Sequence, residues 1–174
     1  KYFILKVDPK KNMIFDPVES VDFNGNTGPF IQYTHARIRS VMRKAEEEGL
    51  EAGIPEGTDY NAKELGLIRM LYFFPRTVAI AGEERNPALI ANYCYELARE
   101  FNQFYHDFSI MSAETGELKK FRLLLSEMVA RTIARGMDML GIDLTGVITT
   151  TRGDDADAMG QAVATYAMDV DMSG

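Results

Sequence analysis

Cysteine is almost absent from this 174-residue chain. Cys94, the one present, can form neither an intrachain disulfide nor a multi-cysteine metal site. The expected setting is therefore a reducing cytoplasm, with Cys94 read as a small buried apolar side chain rather than a reactive thiol. Long apolar runs are missing as well. The longest extend for a handful of residues, so no segment is expected to span a bilayer, and no charged start followed by an apolar run marks an export signal. Basic charge is in deficit, with 19 lysines and arginines against 26 acidic residues and a formal net charge of −7. That balance excludes a protein that coats nucleic acid through bulk electrostatics, because phosphate contacts need cations. The deficit is uneven, however. From Thr151 onward five aspartates (Asp154, Asp155, Asp157, Asp169, Asp171) face only Arg152, a local balance of −4 that leaves −3 for residues 1–150. Local basic faces are compatible with that remainder.

The length suits one domain with a proper core plus an appendage. Tyr2–Val7 reads as a short extended or buried apolar segment, followed by a turn at Asp8-Pro9. Asn24-Gly25-Asn26-Thr27-Gly28-Pro29 is dense in residues that tolerate turn conformations. From Pro29, Ile31, Thr34, Ile38, Val41, Met42 and Ala45 recur at helical spacing as the inward face of a helix expected to end near Gly49. Asn61 with Glu64 makes a capping-box pattern for a second helix, whose buried stripe is expected at Leu65, Ile68, Leu71 and Tyr72. Phe74-Pro75 is expected to break or restart that helix, and Asn86-Pro87 to open the next. The third helix carries Leu89, Ile90, Tyr93, Cys94, Leu97, Ala98, Phe101, Phe104, Tyr105 and Phe108 along one side. A fourth turns Leu118, Phe121, Leu125, Met128, Val129, Ile133, Met137 and Leu140 inward, with Gly141 placed to cap it. Its charges, Lys119, Lys120 and Arg122, read as ordinary helix-surface residues. Helices of this length joined by short loops predict an all-α helical bundle. Beyond Thr145 the periodicity weakens into an acidic tail, residues 146–174, with one short helix expected near 161–168 and no assigned role.

Three stretches together carry a family resemblance. They are Phe23 to Ile38, Glu64 to Arg69 running on to Phe74-Pro75, and Asn102–Tyr105 with Arg122–Leu125 and Leu140-Gly141-Ile142. In order and spacing they resemble the C-terminal part of arginyl-tRNA synthetases, over roughly residues 1–145. The resemblance implies that residues 1–28 are the end of a catalytic domain and its loop. Residues 29–145 are then a helical anticodon-binding domain with tRNA as its partner, acting without a membrane and expected as a monomer. It also implies that the intact enzyme is an arginine-tRNA ligase using ATP with magnesium. The two nucleotide-binding signatures of that chemistry do not occur here and are expected upstream of Lys1. This chain alone is thus expected to be catalytically inactive, to need no cofactor of its own and to hold no metal.

By the same resemblance, the anticodon loop is expected to meet Asn24, Asn26, Phe30, Tyr33, Arg37 and Tyr105. Phe30 and Tyr33, three residues apart, fall on one helix face, where aromatic rings can stack unpaired bases. Phe30 stands where the family more often has tyrosine, which keeps stacking and loses a hydroxyl contact. Core packing is the competing reading for both rings. Arg37 is either a backbone contact or a buried partner of a carboxylate, within a basic strip that continues through Arg39, Arg43 and Lys44. His35 suits a hydrogen-bonded structural role better than metal ligation. The family ends soon after its Leu-Gly-Ile, with a terminal methionine that shapes the anticodon pocket. This chain continues past Ile142 instead, and its acidic extension is expected to repel RNA if it acts at all. Two other readings stand beside this one. A helical protein-interaction module without RNA readout fits the acidic bundle, and the glycine-containing loop before a helix weakly suggests a nucleotide hydrolase.

Overall fold

The computed structural model describes residues 1–20, 22, 25–54 and 59–144. Among these the secondary structure is helical throughout: α1 (Tyr2–Leu5), α2 (Pro17–Ser20), α3 (Gly28–Glu47), α4 (Ala62–Glu84), α5 (Ala88–Asp107) and α6 (Gly116–Met139). Asn24 and the expected tail, with its short helix near 161–168, lie outside the described residues.

Capping chemistry sets the helix bounds. The Thr27 side chain accepts a hydrogen bond from the Phe30 N–H at the start of α3, and Pro29 occupies the first turn, where its missing N–H costs nothing. Asn61 and Glu64 form the reciprocal capping box of α4, and Thr115 caps α6 by accepting from the Leu118 N–H. Gly49 and Gly141 both take φ +67°, and the chain turns back so that Leu50 N–H donates to the Ala45 carbonyl and Ile142 N–H to the Met137 carbonyl.

Helices α5 and α6 form the central pair, and α3 and α4 each pack against both. Their shared core holds Ile31, Ile38, Leu97, Phe101, Phe104, Leu123, Ile133 and Met137, all essentially inaccessible to water. Burying each large side chain of this kind contributes about 1.5–3 kcal/mol. Cys94 sits in the same core, and burial pushes its thiol up to about 12, consistent with an inert apolar role.

Several expectations fail for identifiable reasons. Tyr2–Leu5 is a helical turn rather than an extended segment, with Tyr2 and Phe3 buried as the other reading of this run expects. A short apolar run does not distinguish the two, and this one satisfies its own backbone through Leu5 N–H to Lys1 O and Lys6 N–H to Tyr2 O. Pro75 does not break α4, which runs through it to Glu84. Contacts from α5 hold the segment just before the proline: the Tyr93 hydroxyl donates to the Met70 carbonyl, and the Tyr93 and Phe74 rings lie 5.2 Å apart. Tertiary packing here outweighs the local penalty.

The buried stripe of α4 is partly displaced from its expected position. Ile68 and Leu71 pack against the core as expected and Glu64, Leu67 and Ala81 are buried, whereas Leu65 is exposed and Tyr72 retains 78% of its accessible surface. By length and composition α4 is apolar enough to cross a membrane, against the expectation from short runs, because Arg69 and Arg76 interrupt the runs without lowering the average much. In the fold it packs as a wall of the bundle.

Arg122, expected on the surface, is buried instead. Its Nε donates to Glu64 Oε1 at 2.8 Å, its Nη1 donates to the Ser109 carbonyl at 2.9 Å, and its guanidinium lies 5.2 Å from the Phe108 ring centre. One ion pair thereby ties the start of α4 to α6 and to the chain after α5.

Candidate nucleic-acid interface

With Thr27 fixing where α3 begins, helical geometry puts Phe30, Tyr33, Arg37 and Lys44 on one face. That face meets α5 at Asn102 and Tyr105. Arg37 Nη1 donates to Asn102 Oδ1 at 2.6 Å and its Nη2 donates to the Tyr33 hydroxyl oxygen at 2.9 Å. The guanidinium carbon lies 4.6 Å from the Tyr33 ring centre and 5.1 Å from that of Tyr105, within cation–π range of both. Three residues expected from the sequence, Tyr33, Arg37 and Tyr105, are thus brought into a single array. Arg37 is a partner of neutral groups, not of a buried carboxylate.

Phe30 flanks the array, half-buried, with its ring 5.4 Å from that of Tyr95. It serves packing and surface at once, since it also lines an open depression of about 410 Å³ with Lys63, Arg99, Asn102, Gln103 and His106. A second recess of about 350 Å³ is lined by Val41, Lys44, Tyr105, Met111 and His106, the last shared with the first.

The charges around these recesses are not equivalent. Arg99 is bound to Glu96 and Glu100 at 2.7 and 3.1 Å; its hydrogen bond to Glu100 and these neighbouring acids raise its pKa. Lys63 pairs with Asp107, whose carboxyl is held below its ordinary value by hydrogen bonds from His106 and Lys63. Both cations already face carboxylates. Arg37 does not, and Lys44 is exposed beside it. The expected basic strip divides into two faces. Arg39 and Arg43 are exposed on the side of His35, a helical turn apart, while Arg37 and Lys44 face the array. His35 itself is buried, and burial together with the Arg39 charge lowers its pKa, so it favours the neutral ring. Among the described residues no cluster of three or more His, Cys, Asp or Glu side chains is placed to hold a metal ion.

Asn26 does not join the array. Its Oδ1 accepts from the Tyr2 hydroxyl at 2.6 Å, its Nδ2 donates to Asn92 Oδ1 at 2.8 Å, and its carbonyl accepts from Lys6 Nζ. Asn92 precedes Asn102 by ten residues on α5, about 15 Å along the helix axis. Asn26 therefore fastens the N-terminal segment onto the far end of α5. Two members of the array were not singled out in the sequence. Asn102 entered only as the edge of a motif, and Thr34, whose Oγ1 accepts from Asn102 Nδ2 at 2.7 Å, only as a core position. Their polarity at otherwise buried spacings was the available signal.

Residues 31–146 match the family model described as the DALR anticodon binding domain. The chain is 58% identical over 146 residues to the arginine–tRNA ligase of Parabacteroides distasonis and 49% identical over 144 residues to that of Flavobacterium psychrophilum. Each alignment covers 83% of this chain and 24% of the relative. Among solved structures, the Thermus thermophilus arginyl-tRNA synthetase superposes with a TM-score of 0.75 at 35% identity, over 84% of this chain and 25% of that one. The chain thus spans about a quarter of the length of the curated relatives it matches.

Proposed function

The chain belongs to the DALR anticodon binding domain family, and on that premise we propose that it is the tRNA anticodon-arm binding module of an arginine–tRNA ligase. In the intact enzyme that ligase attaches arginine to its tRNA using ATP with magnesium. None of the described residues is grouped to fit the metal, so the steps derived for this chain concern docking alone.

The observation that carries the reading is the array itself. An arginine held by neutral partners between two half-buried tyrosines presents a cation and aromatic surface together on one face. Unpaired bases of a splayed anticodon loop stack on the rings, each stacked base contributing about 1–3 kcal/mol with little dependence on sequence. Polar edges at Asn102, Gln103 and His106, which line the adjoining depression, supply discrimination. Arg37 and Lys44 attract the backbone phosphates. The Tyr33 hydroxyl already accepts from Arg37, so its own proton is directed to another acceptor. In the intact ligase this docking helps to place the acceptor end of the tRNA at the distant catalytic site. The working unit is residues 29–145, acting in the cytoplasm as a monomer bound to tRNA and without a membrane.

A titration of the full chain with an arginine tRNA transcript and an equal-length control tRNA at near-physiological salt tests this. The arginine transcript binds more tightly, and Tyr105→Ala weakens it by about 5- to 150-fold, the equivalent of one lost stacked base. Equal binding of both RNAs, unchanged by Tyr33→Ala and Tyr105→Ala, would remove the reading. One observation favours the second reading, a protein-interaction module: the exposed face of α4 carries Leu65, Tyr72 and Phe73 beside Arg69 and Arg76. That reading gains if Tyr72→Ala, and not Tyr105→Ala, abolishes the chain's binding partner in a pull-down of purified translation components.

A further inference from the structure

The hydrogen-bond directions around Asn102 determine one another. The Thr34 hydroxyl donates to the Phe30 carbonyl at 2.9 Å, as a threonine one helical turn along can. Having used its only proton, Thr34 Oγ1 can only accept, so the Asn102 atom 2.7 Å away is the donating Nδ2. Asn102 Oδ1 therefore faces Arg37, which has donors only, at 2.6 Å. The amide cannot be flipped without setting donor against donor at Arg37. A polar line thus runs from the Phe30 backbone through Thr34 and Asn102 to Arg37 and on to Tyr33.

We propose that Asn102 is a positioning residue for RNA binding: it fixes the Arg37 guanidinium between Tyr33 and Tyr105 without neutralising it. The proposal rests on the anticodon-arm reading above. Arginine has a long, rotamer-rich side chain, and ordering it on contact with RNA would reduce affinity. A carboxylate at position 102 would order it as well, but would cancel the charge that a phosphate needs, as Glu96, Glu100 and Asp107 do for the neighbouring Arg99 and Lys63. An amide supplies orientation and leaves the charge in place. Asn102 also lines the open depression beside Phe30, so the residue that holds Arg37 itself faces an accessible surface.

Two substitutions separate placement from charge. Asn102→Ala removes the acceptor and keeps the Arg37 charge. Asn102→Asp keeps an acceptor and neutralises that charge. Nitrogen–proton spectra of the arginine side chains in the full chain report guanidinium rotation, and titration with the arginine tRNA transcript reports affinity. Thermal unfolding of each variant confirms that it is folded. The expected result is hindered rotation of Arg37 in the parent chain and in Asn102→Asp, and averaged rotation in Asn102→Ala. Affinity falls about 5- to 30-fold in Asn102→Ala, and the same change made in an Arg37→Ala background has less than about a twofold effect, because both act through one contact. Asn102→Asp binds more weakly despite an ordered Arg37, and its salt dependence drops by about one phosphate contact.

Hindered rotation that persists in Asn102→Ala would overturn the proposal, as would an equal loss of affinity in both backgrounds. Should Arg37 lose its order while no variant, Arg37→Ala included, alters tRNA affinity, the docking reading itself fails and Asn102 is only a brace between α3 and α5. The spectra distinguish that failure from the other two.

Discussion

Substituting Gly136 by alanine tests how closely α5 and α6 approach. A Cβ built at Gly136 would stand 2.4 Å from Cys94 Sγ, 3.5 Å from Ile90 Cγ2 and 3.7 Å from Phe74 Cε2. Ordinary contacts between such atoms lie at about 3.5–4.0 Å, so the thiol and the new methyl must separate by about 1 Å or more. Overpacking of that size costs about 1–3 kcal/mol. Replacing a mid-helix glycine by alanine returns about 1 kcal/mol of backbone preference. The net expectation for Gly136→Ala is a loss of about 1 kcal/mol, or about 2–4 °C in melting temperature for a chain of this size. Cys94→Ala removes the obstructing sulfur and leaves a gap the new methyl can fill, so in that background Gly136→Ala becomes stabilising by up to about 1 kcal/mol. The change of sign is the signature, and urea unfolding of the four chains followed by circular dichroism measures it as a coupling energy. With the thiol's pKa pushed up to about 12 it stays protonated, so the cycle gives the same coupling at pH 7 and pH 9. A gain of about 1 kcal/mol from Gly136→Ala with Cys94 intact would refute the reasoning, since it would mean the two helices leave room for a methyl.

Arg122→Met leaves the buried Glu64 carboxylate without its cation and is expected to cost about 3–5 kcal/mol, whereas Glu64→Leu combined with Arg122→Met recovers most of that loss apart from about 1 kcal/mol for the capping box it also removes. Denaturant midpoints of the two chains check this, and a double substitution no better than the single one counts against the pairing. His35 is buried with its pKa lowered below the unfolded value of 6.5. The unfolded chain therefore binds the proton more readily, so stability is full above pH 6.5 and declines as pH falls from there through the native value. The depressed Asp107 acts in a separate window, its contribution present above 3.8 and lost as pH falls through its native value. Urea midpoints at pH 7.5, 6.5 and 5.5 should fall for the parent chain and stay nearly level for His35→Gln; parallel curves would show that another group is responsible.

The apolar period makes α3, α5 and α6 legible in the sequence, and a terminal glycine agrees with it in two of them, Gly49 after α3 and Gly141 after α6, while α5 ends at Phe108 without one. Helix α4 was misread wherever local rules met tertiary contacts. Its apolar residues at Leu65 and Tyr72 have the right spacing for a core stripe, yet the side that turns inward is the one carrying Glu64. That carboxylate is tolerated only because Arg122, 58 residues later, is positioned to meet it. Pro75 reads as a break or restart for the same reason, since the α5 contacts around it belong to no local pattern. At the site, the four-residue step from Tyr33 to Arg37 is visible on one helix, but Asn102 lies 65 residues away and no spacing rule connects them. Asn26 illustrates the opposite error. A turn asparagine looks available to a ligand, and here its side chain closes the N-terminal segment onto α5.

Net charge was the strongest sequence argument against RNA binding, and the structure shows why it decides little. A sum of −7 counts every cation alike. The field at a phosphate depends instead on which cations already have a carboxylate within bonding distance. Lys63 and Arg99 do, so the field of each is offset locally by its neighbouring acids. Arg37 is held by an amide and a phenol, which orient it and leave its charge whole. Lys44, Arg39 and Arg43 stand exposed on the same helix. An acidic chain can therefore present a local cationic face wherever its cations are placed by neutral groups, and among the described residues the contact between α3 and α5 is where that condition is met on an aromatic surface.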